Sequence, residues 1–224
     1  MVPGGRTARF AAVRWPRVSG DVAPDVARPG GSAKRYAAVA VASSAGGITA
    51  LRVLLGGLPA GFPVPVLIVQ HLDPRHETVL AHVLARSARL PVKLAEAGEL
   101  ARPGTVYVAP PNRHLVVGAA GLLALSDSAP VHFVRPSADV LFESVADVYG
   151  ARAIACVLSG TGKDGARGVS AVKSRGGTVV AQAPGSADFP GMPRSAVATG
   201  MVDLVLPLDE IAQAVRRLVM PAAP

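Results

Sequence analysis

The chain has 224 residues, of which half are hydrophobic, with one cysteine and a formal net charge of +8 at pH 7. This length supports one substantial domain with its own core. The composition excludes a disordered chain, a disulfide-stabilised scaffold and a membrane span, which needs ~20 consecutive apolar residues. The N-terminal residues show no secretory pattern, and a single cysteine fits a reducing compartment. We therefore expect a cytoplasmic protein without membrane insertion.

Most of the positive charge lies in residues 1–35, which carry five of the eight net charges and are rich in Pro and Gly. Such a segment is typical of a solvated, flexible arm. We expect a disordered basic arm over residues 1–35 and one folded domain over residues 36–224. The arm can attract an acidic partner by its charge, but it does not predict specific nucleic-acid binding.

The first part of the folded region alternates between strands and helices. Uncharged apolar runs at residues 36–43 and 65–70 are typical of strands buried on both faces. The segments that follow them, ending at Leu55 and spanning residues 77–87, carry apolar residues at helical spacing. This alternation predicts a mainly parallel sheet covered by helices.

The middle of the chain has short strands separated by turn residues, and the alternation resumes after it. The short strands are expected at residues 92–95, 105–109, 114–117 and 122–125, and their spacing predicts an antiparallel hairpin at one edge of the sheet. Later strands are expected at residues 153–158, 178–182 and 202–206, with helices at 138–149, 165–174, after Met192 and at 208–219. The predicted class is α/β, in three layers, with a mainly parallel sheet flanked by helices.

Three polar residues follow three of the predicted strands. Ser44 stands between the first strand and a helix, His71 follows the second strand, and Asp164 follows the strand at 153–158. The carboxyl ends of parallel strands meet at one edge, where reactive groups gather. A serine nucleophile needs a base and a group that orients the base. The three residues therefore predict a catalytic triad.

Each of these residues also has a structural interpretation. Ser44 and Asp164 could cap the helices that follow them, and His71 could be a structural histidine. Ser137 is a plausible N-cap of the helix that begins at Ala138.

Other motifs carry weaker signals. The glycine pattern at residues 160–165 has the spacing of a dinucleotide-binding loop but lacks the acidic residue that closes that fingerprint. His71, Asp73 and His76 are close in sequence, but Pro74 breaks any helix that would align them, so we expect no metal site. His114 and His132 fall near hairpin or loop positions, where surface residues are expected.

Six ordered motifs match a known family. Over residues 36–219 the chain resembles the catalytic domain of the chemotaxis protein-glutamate methylesterases of the CheB type. The motifs are Ala42 to Gly47 (ASSAGG), Val69 to Leu72 (VQHL), Val106 to Pro110 (VYVAP), Arg135 to Phe142 (RPSADVLF), Leu158 to Gly165 (LSGTGKDG) and Gly191 to Arg194 (GMPR).

The resemblance implies a role for each site residue. Ser44 is the expected nucleophile, His71 its base and Asp164 the orienting carboxylate, while the backbone N–H of Thr161 helps to hold the oxyanion. The implied activity is hydrolysis of glutamate methyl esters on a protein, such as the cytoplasmic region of a chemotaxis receptor, without a cofactor. Deamidation of receptor glutamine is also implied. A non-catalytic signalling or docking module with a decayed site remains the alternative.

The chain departs from the family pattern in two places. Ala45 stands where the family usually has threonine, which removes a hydroxyl group beside the expected nucleophile. Residues 1–35 are too short for the phosphoreceiver domain that many members carry, so we expect a stand-alone catalytic domain over residues 36–224.

Overall fold

The computed structural model describes residues 35–73 and 78–220, so the predicted arm lies outside the described residues except for Arg35. The strands are β1 Ala38–Ser43, β2 Val66–Gln70, β3 Val92–Leu94, β4 Val106–Val108, β5 His114–Val117, β6 Leu123–Ser126, β7 Ala153–Val157, β8 Thr178–Gln182 and β9 Leu204–Leu206. The helices with more than one turn are α1 Gly47–Gly56, α2 Leu80–Ala85, α3 Ala138–Tyr149, α4 Ala166–Ser174, α5 Gly191–Val197 and α6 Leu208–Val219.

Seven of the strands form one parallel sheet in the order β3-β4-β2-β1-β7-β8-β9. The central strands β1, β2 and β7 are buried along their whole length, which explains why they read as continuous apolar runs. From β1 the chain builds one side of the sheet through β2 and then returns to build the other side from β7. The crevice beyond the carboxyl ends of β1 and β7 is therefore the place where such sheets bind ligands.

Helices cover both faces of the sheet, as the sequence predicts. Side chains alternate along β1, with Ala40 and Ala42 facing α3 to α5 and Val39 and Val41 facing α1, α2 and α6. The alanine face leaves room for α3, whose Phe142 is fully buried. The predicted three-layer α/β class is confirmed.

The four short strands from the middle of the chain, β3 to β6, belong to two different sheets. β3 and β4 join the main sheet in parallel, whereas β5 and β6 form an antiparallel hairpin as a separate two-stranded sheet. The hairpin packs on α3, and its Val117 N–H donates to the Ser144 hydroxyl at 3.0 Å. The predicted hairpin exists, but its interaction with α3 is tertiary and could not be inferred from strand spacing. Among the described residues, no helix has the length and apolarity to cross a membrane.

Gly168 lies at a close contact between α3 and α4. A Cβ atom at this position would lie 2.5 Å from Phe142 Cβ and 3.2 Å from the Cα of Asp139. Alanine is favoured over glycine inside a helix by about 1 kcal/mol, yet overpacking of a tight contact costs about 1–3 kcal/mol. We expect Gly168→Ala to reduce the free energy of unfolding in urea. Gly61→Ala is the control, because a Cβ there meets nothing within 4 Å; equal stability of the two variants would contradict the packing argument.

Candidate active site

Ser44, His71 and Asp164 lie beyond the carboxyl ends of β1, β2 and β7 and line one cavity of about 620 Å³. Thr161 and Lys163 line the same cavity. The three residues that the sequence predicts as a triad therefore lie around one space. The strand order explains this arrangement, since β2 and β7 are the two neighbours of β1.

Ser44 lies in a tight turn between β1 and α1. Its N–H donates to Ser159 O at 2.9 Å, and its carbonyl accepts the Gly47 N–H at 2.8 Å. The N-cap of α1 is Gly46, in a left-handed conformation with φ of 70°, and a Cβ there would lie 2.7 Å from Ser159 Oγ. Ser44 is therefore not the helix cap that the structural interpretation suggested.

Gln70 ties the ends of β1 and β2 together. Its Oε1 accepts the Ser43 hydroxyl at 2.7 Å, and its Nε2 donates to Ser44 O at 2.8 Å and to His71 O at 3.1 Å. The backbones at Ser44 and His71 are thus held at a fixed separation by one buried amide. Gln70 is the last residue of the apolar run at 65–70, and a polar residue at the end of such a run is the signal that could have revealed its role.

His71 and Asp164 form a hydrogen-bonded pair. The distance from His71 Nε2 to Asp164 Oδ2 is 2.8 Å, and only 13% of the His71 side chain and 3% of that of Asp164 are exposed. Because Nε2 is engaged by the carboxylate, Nδ1 is the ring nitrogen left for another partner.

Asp164 also caps α3. Its carboxylate accepts the Ser137 hydroxyl at 2.7 Å, the Ala138 N–H at 2.6 Å and the Asp139 N–H at 3.2 Å. Burial by itself would raise the pKa of Asp164, but the hydrogen bonds from His71, Ser137 and Ala138 outweigh it, so the pKa lies below the usual value. Asp164 is therefore ionised at neutral pH.

Two cap assignments from the sequence need correction. Asp164 caps α3 rather than the helix that follows it, because the turn after β7 carries its carboxylate to the first N–H groups of α3. Ser137 does occupy the N-cap position of α3, but its hydroxyl donates to Asp164 and makes no cap hydrogen bond. Both differences arise from a contact between residues 27 positions apart in sequence.

Asp139, in the first turn of α3, caps α4 with its carboxylate. Its Oδ1 accepts the N–H groups of Gly165 at 3.0 Å and Gly168 at 2.8 Å. Burial raises the pKa of Asp139, and the nearby Asp164 charge acts in the same direction. Within the described part of the chain its Oδ2 has no hydrogen bond, although His132 Nε2 lies 3.2 Å away.

His114 is buried, contrary to the surface position expected from the sequence. Its Nδ1 accepts the Ser137 N–H at 3.1 Å, so the other ring nitrogen carries the proton and donates to Ala129 O at 3.2 Å. Burial lowers the pKa of His114, which favours this neutral form. The position in a hairpin was predicted, but the packing of the hairpin against α3 was not.

Backbone donors follow Ser44 directly in the chain, and another belongs to Thr161, which lines the cavity. Over residues 35–73 and 78–220, the N–H groups of Ala45, Gly46 and Thr161 have no hydrogen-bond acceptor. Gly160, which precedes Thr161, is in close contact with Ser44, since a Cβ on it would lie 2.9 Å from Ser44 Cβ. The expectation that His71, Asp73 and His76 form no metal site stays a prediction, because His76 lies outside the described residues.

Comparison with known proteins agrees with this geometry. A family model described as CheB methylesterase matches residues 39–215. The chain belongs to the CheB methylesterase family. The crystal structure of the Thermotoga maritima CheB methylesterase catalytic domain matches with a TM-score of 0.80 and 37% identity, covering 82% of this chain and 99% of that one. The predicted family and fold are confirmed.

Two curated relatives in the CheB family extend the comparison. Protein-glutamate methylesterase/protein-glutamine glutaminase 3 of Anaeromyxobacter dehalogenans (strain 2CP-C) is 44% identical over 206 residues, which make up 92% of this chain and 60% of the relative. The protein-glutamate methylesterase/protein-glutamine glutaminase of group 3 operon of Rhizobium meliloti (strain 1021) is 42% identical, over 90% of this chain and 55% of the relative. The chain therefore spans little more than half the length of these relatives.

The lowered pKa of Asp164 predicts how stability depends on pH. Because its folded pKa lies below the unfolded value of about 3.9, the ionised carboxylate stabilises the fold above that pH, and the contribution disappears as the pH falls through the folded pKa. We expect Asp164→Asn to lose about 2 kcal/mol of unfolding free energy at pH 7 and to lose less additional stability than wild type below pH ~4. Urea unfolding across this range measures both, with the exposed Asp209→Asn as control. Parallel stability curves for wild type and Asp164→Asn would contradict the prediction.

Proposed function

We propose that this protein is a serine hydrolase that removes methyl groups from glutamate methyl esters on proteins, with Ser44, His71 and Asp164 as its catalytic triad. The observation that carries the proposal is the part-buried 2.8 Å hydrogen bond between His71 and Asp164 on the cavity that Ser44 also lines. An imidazole held by an ionised carboxylate beside a serine is the arrangement that activates a hydroxyl.

The reaction begins with attack of Ser44 Oγ on the ester carbonyl. His71 takes the hydroxyl proton on Nδ1, because its Nε2 is bonded to Asp164. Asp164 stays ionised, fixes the ring orientation and stabilises the imidazolium that forms. His71 then gives the proton to the departing methanol, which leaves the glutamyl group esterified to Ser44.

The second half of the reaction releases glutamate. His71 removes a proton from water, the hydroxide attacks the acyl group, and Ser44 regains its proton from His71. In both tetrahedral intermediates the backbone N–H groups of Thr161 and Ala45 donate to the oxyanion. Each such donor typically lowers the barrier by about 3 kcal/mol. These steps use no cofactor.

The names of the relatives support a protein substrate for this chain. Both are named for action on protein glutamate methyl esters and on protein glutamine. We propose the cytoplasmic region of a chemotaxis receptor as the methylated substrate, and the cytoplasm as the location of the enzyme. Glutamine deamidation is the second proposed activity, because the same acyl-enzyme route serves an amide when ammonia leaves in place of methanol.

Replacing the proposed nucleophile tests the assignment. We expect Ser44→Ala to fold with wild-type thermal stability and to lose methanol release from a carboxyl-methylated chemotaxis receptor fragment by at least ~10³-fold. Labelling by a fluorophosphonate probe should disappear in Ser44→Ala and weaken strongly in His71→Ala. Ser174→Ala is the control, because this exposed hydroxyl bonds only within α4.

Two results would contradict the proposal. Methanol release retained by Ser44→Ala would exclude the nucleophile. Folded wild-type protein that neither reacts with the probe nor releases methanol would favour the non-catalytic docking module.

A further inference from the structure

A two-residue turn stands at the rim of the active-site cavity. Val131 and Val134 exchange backbone hydrogen bonds of 3.1 and 3.0 Å, and the residues between them, His132 and Phe133, both have left-handed backbones with φ of 52° and 64°. Turns of this shape normally use Asn and Gly, which tolerate positive φ. A histidine and a phenylalanine here are strained, and strained backbone persists at sites where the conformation has a use.

Phe133 is the most exposed large apolar side chain in the described part of the chain. Its relative exposure is 102%, whereas that of the next such residue, Val79, is 72%. Leaving a phenylalanine in water forgoes the burial that normally stabilises it. The turn therefore combines backbone strain with an unburied ring, and neither feature stabilises the free protein.

The surrounding residues hold this turn in place. On one side His132 Nε2 lies 3.2 Å from the buried Asp139 carboxylate. On the other side the Arg135 guanidinium donates to Asn112 Oδ1, at 3.0 and 2.6 Å, and to the carbonyls of Asp127 and Ser128. These bonds also occupy the Arg135 guanidinium, so the group that this turn leaves exposed beside the cavity is the aromatic ring of Phe133.

Phe133 lines two cavities, which also share His71 and Val134. One is the active-site cavity with Ser44. The other, of about 110 Å³, is also lined by apolar Leu72, Pro130 and Pro136 and by polar Asn112 and Arg135. The second cavity is far smaller than the roughly 300–1,000 Å³ of a small-molecule site. Its size fits a single side chain, and Phe133, Leu72 and the two prolines give it an apolar wall for an aliphatic one. A peptide whose glutamate ester reaches Ser44 would bring its neighbouring side chains to Phe133 and to this cavity.

We propose that Phe133 and the small cavity beside it form a specificity site for an aliphatic side chain adjacent to the methylated glutamate of the substrate protein. This inference rests on the proposed function and names the substrate chemistry that the site selects. Phe133 acts in substrate binding, while the chemical steps belong to the residues around Ser44.

Two synthetic peptides with a central glutamate γ-methyl ester test the proposal, one flanked by leucine and the other by serine. We expect wild-type protein to favour the leucine peptide in kcat/KM by ~10-fold, mainly through KM. Phe133→Asn should abolish this preference, because its kcat/KM should fall more for the leucine peptide than for the serine peptide or for p-nitrophenyl acetate. Because asparagine tolerates the left-handed backbone, we expect Phe133→Asn to fold with equal or higher thermal stability.

Phe133→Leu keeps an apolar side chain and should retain most of the preference. Val205→Ala is the matched control, because this exposed apolar residue lies on edge strand β9. A wild-type enzyme without a preference for leucine, or a Phe133→Asn variant that keeps it, overturns the inference, as does an equal loss on all three esters. Failure of wild-type protein on every ester would instead show that the proposed function is wrong.

Discussion

The buried Asp164 carboxylate is the group on which the geometry of the site depends. It receives the His71 imidazole from the end of β2 and the first N–H groups of α3. A carboxylate at a helix N-terminus satisfies donors that would otherwise be orphaned and interacts favourably with the helix dipole. The contacts that place α3 over the sheet therefore also hold the imidazole in one orientation.

Asp139 makes the arrangement reciprocal. Asp164, in the turn before α4, caps α3, while Asp139, in the first turn of α3, caps α4. Two buried carboxylates so close together disfavour each other's ionisation, and their pKa values shift in opposite directions. Asp164 keeps its charge because it has the greater number of donors. Asp139 is the acid whose pKa is raised by burial. It lies away from the proposed chemistry, and its carboxylate faces His132.

The same pair of acids connects the site to its rim. The turn that carries Phe133 lies against Asp139 through His132, and Asp139 is bonded through its backbone to Asp164. The rim and the proposed triad thus share one rigid support at the start of α3. Beside the proposed nucleophile, Ala45 stands where the family usually has threonine, but the backbone N–H that the proposed oxyanion site uses does not depend on that side chain.

The sequence by itself determined the layers of the fold and the positions of its proposed catalytic residues. Buried parallel strands read as apolar runs, and a polar residue directly after such a run lies at the carboxyl edge of the sheet. This is why Ser44 and His71 could be named in advance, whereas Asp164 was named from the loop that follows β7 at the same edge. Local patterns also predicted α3, α6 and the hairpin. The helix predicted over residues 77–87 ends earlier, at Ala85, and β3 and β4 join the parallel sheet rather than a hairpin. Short segments carry little periodicity from which such details could be predicted.

Only the tertiary structure decided which groups those residues contact. Three contacts join segments that are far apart in sequence: Asp164 caps α3, the Gln70 amide bridges β1 and β2, and His114 is buried against the start of α3. Side-chain hydrogen bonds over such distances leave no periodic pattern in the sequence. The exposure of Phe133 likewise depends on the strained turn that carries it. The sequence Val131-His132-Phe133-Val134 does not predict this turn, because it has no Asn or Gly at the two central positions. Strand period and composition place residues at an edge, whereas the direction of each hydrogen bond is set by how the helices pack against that edge.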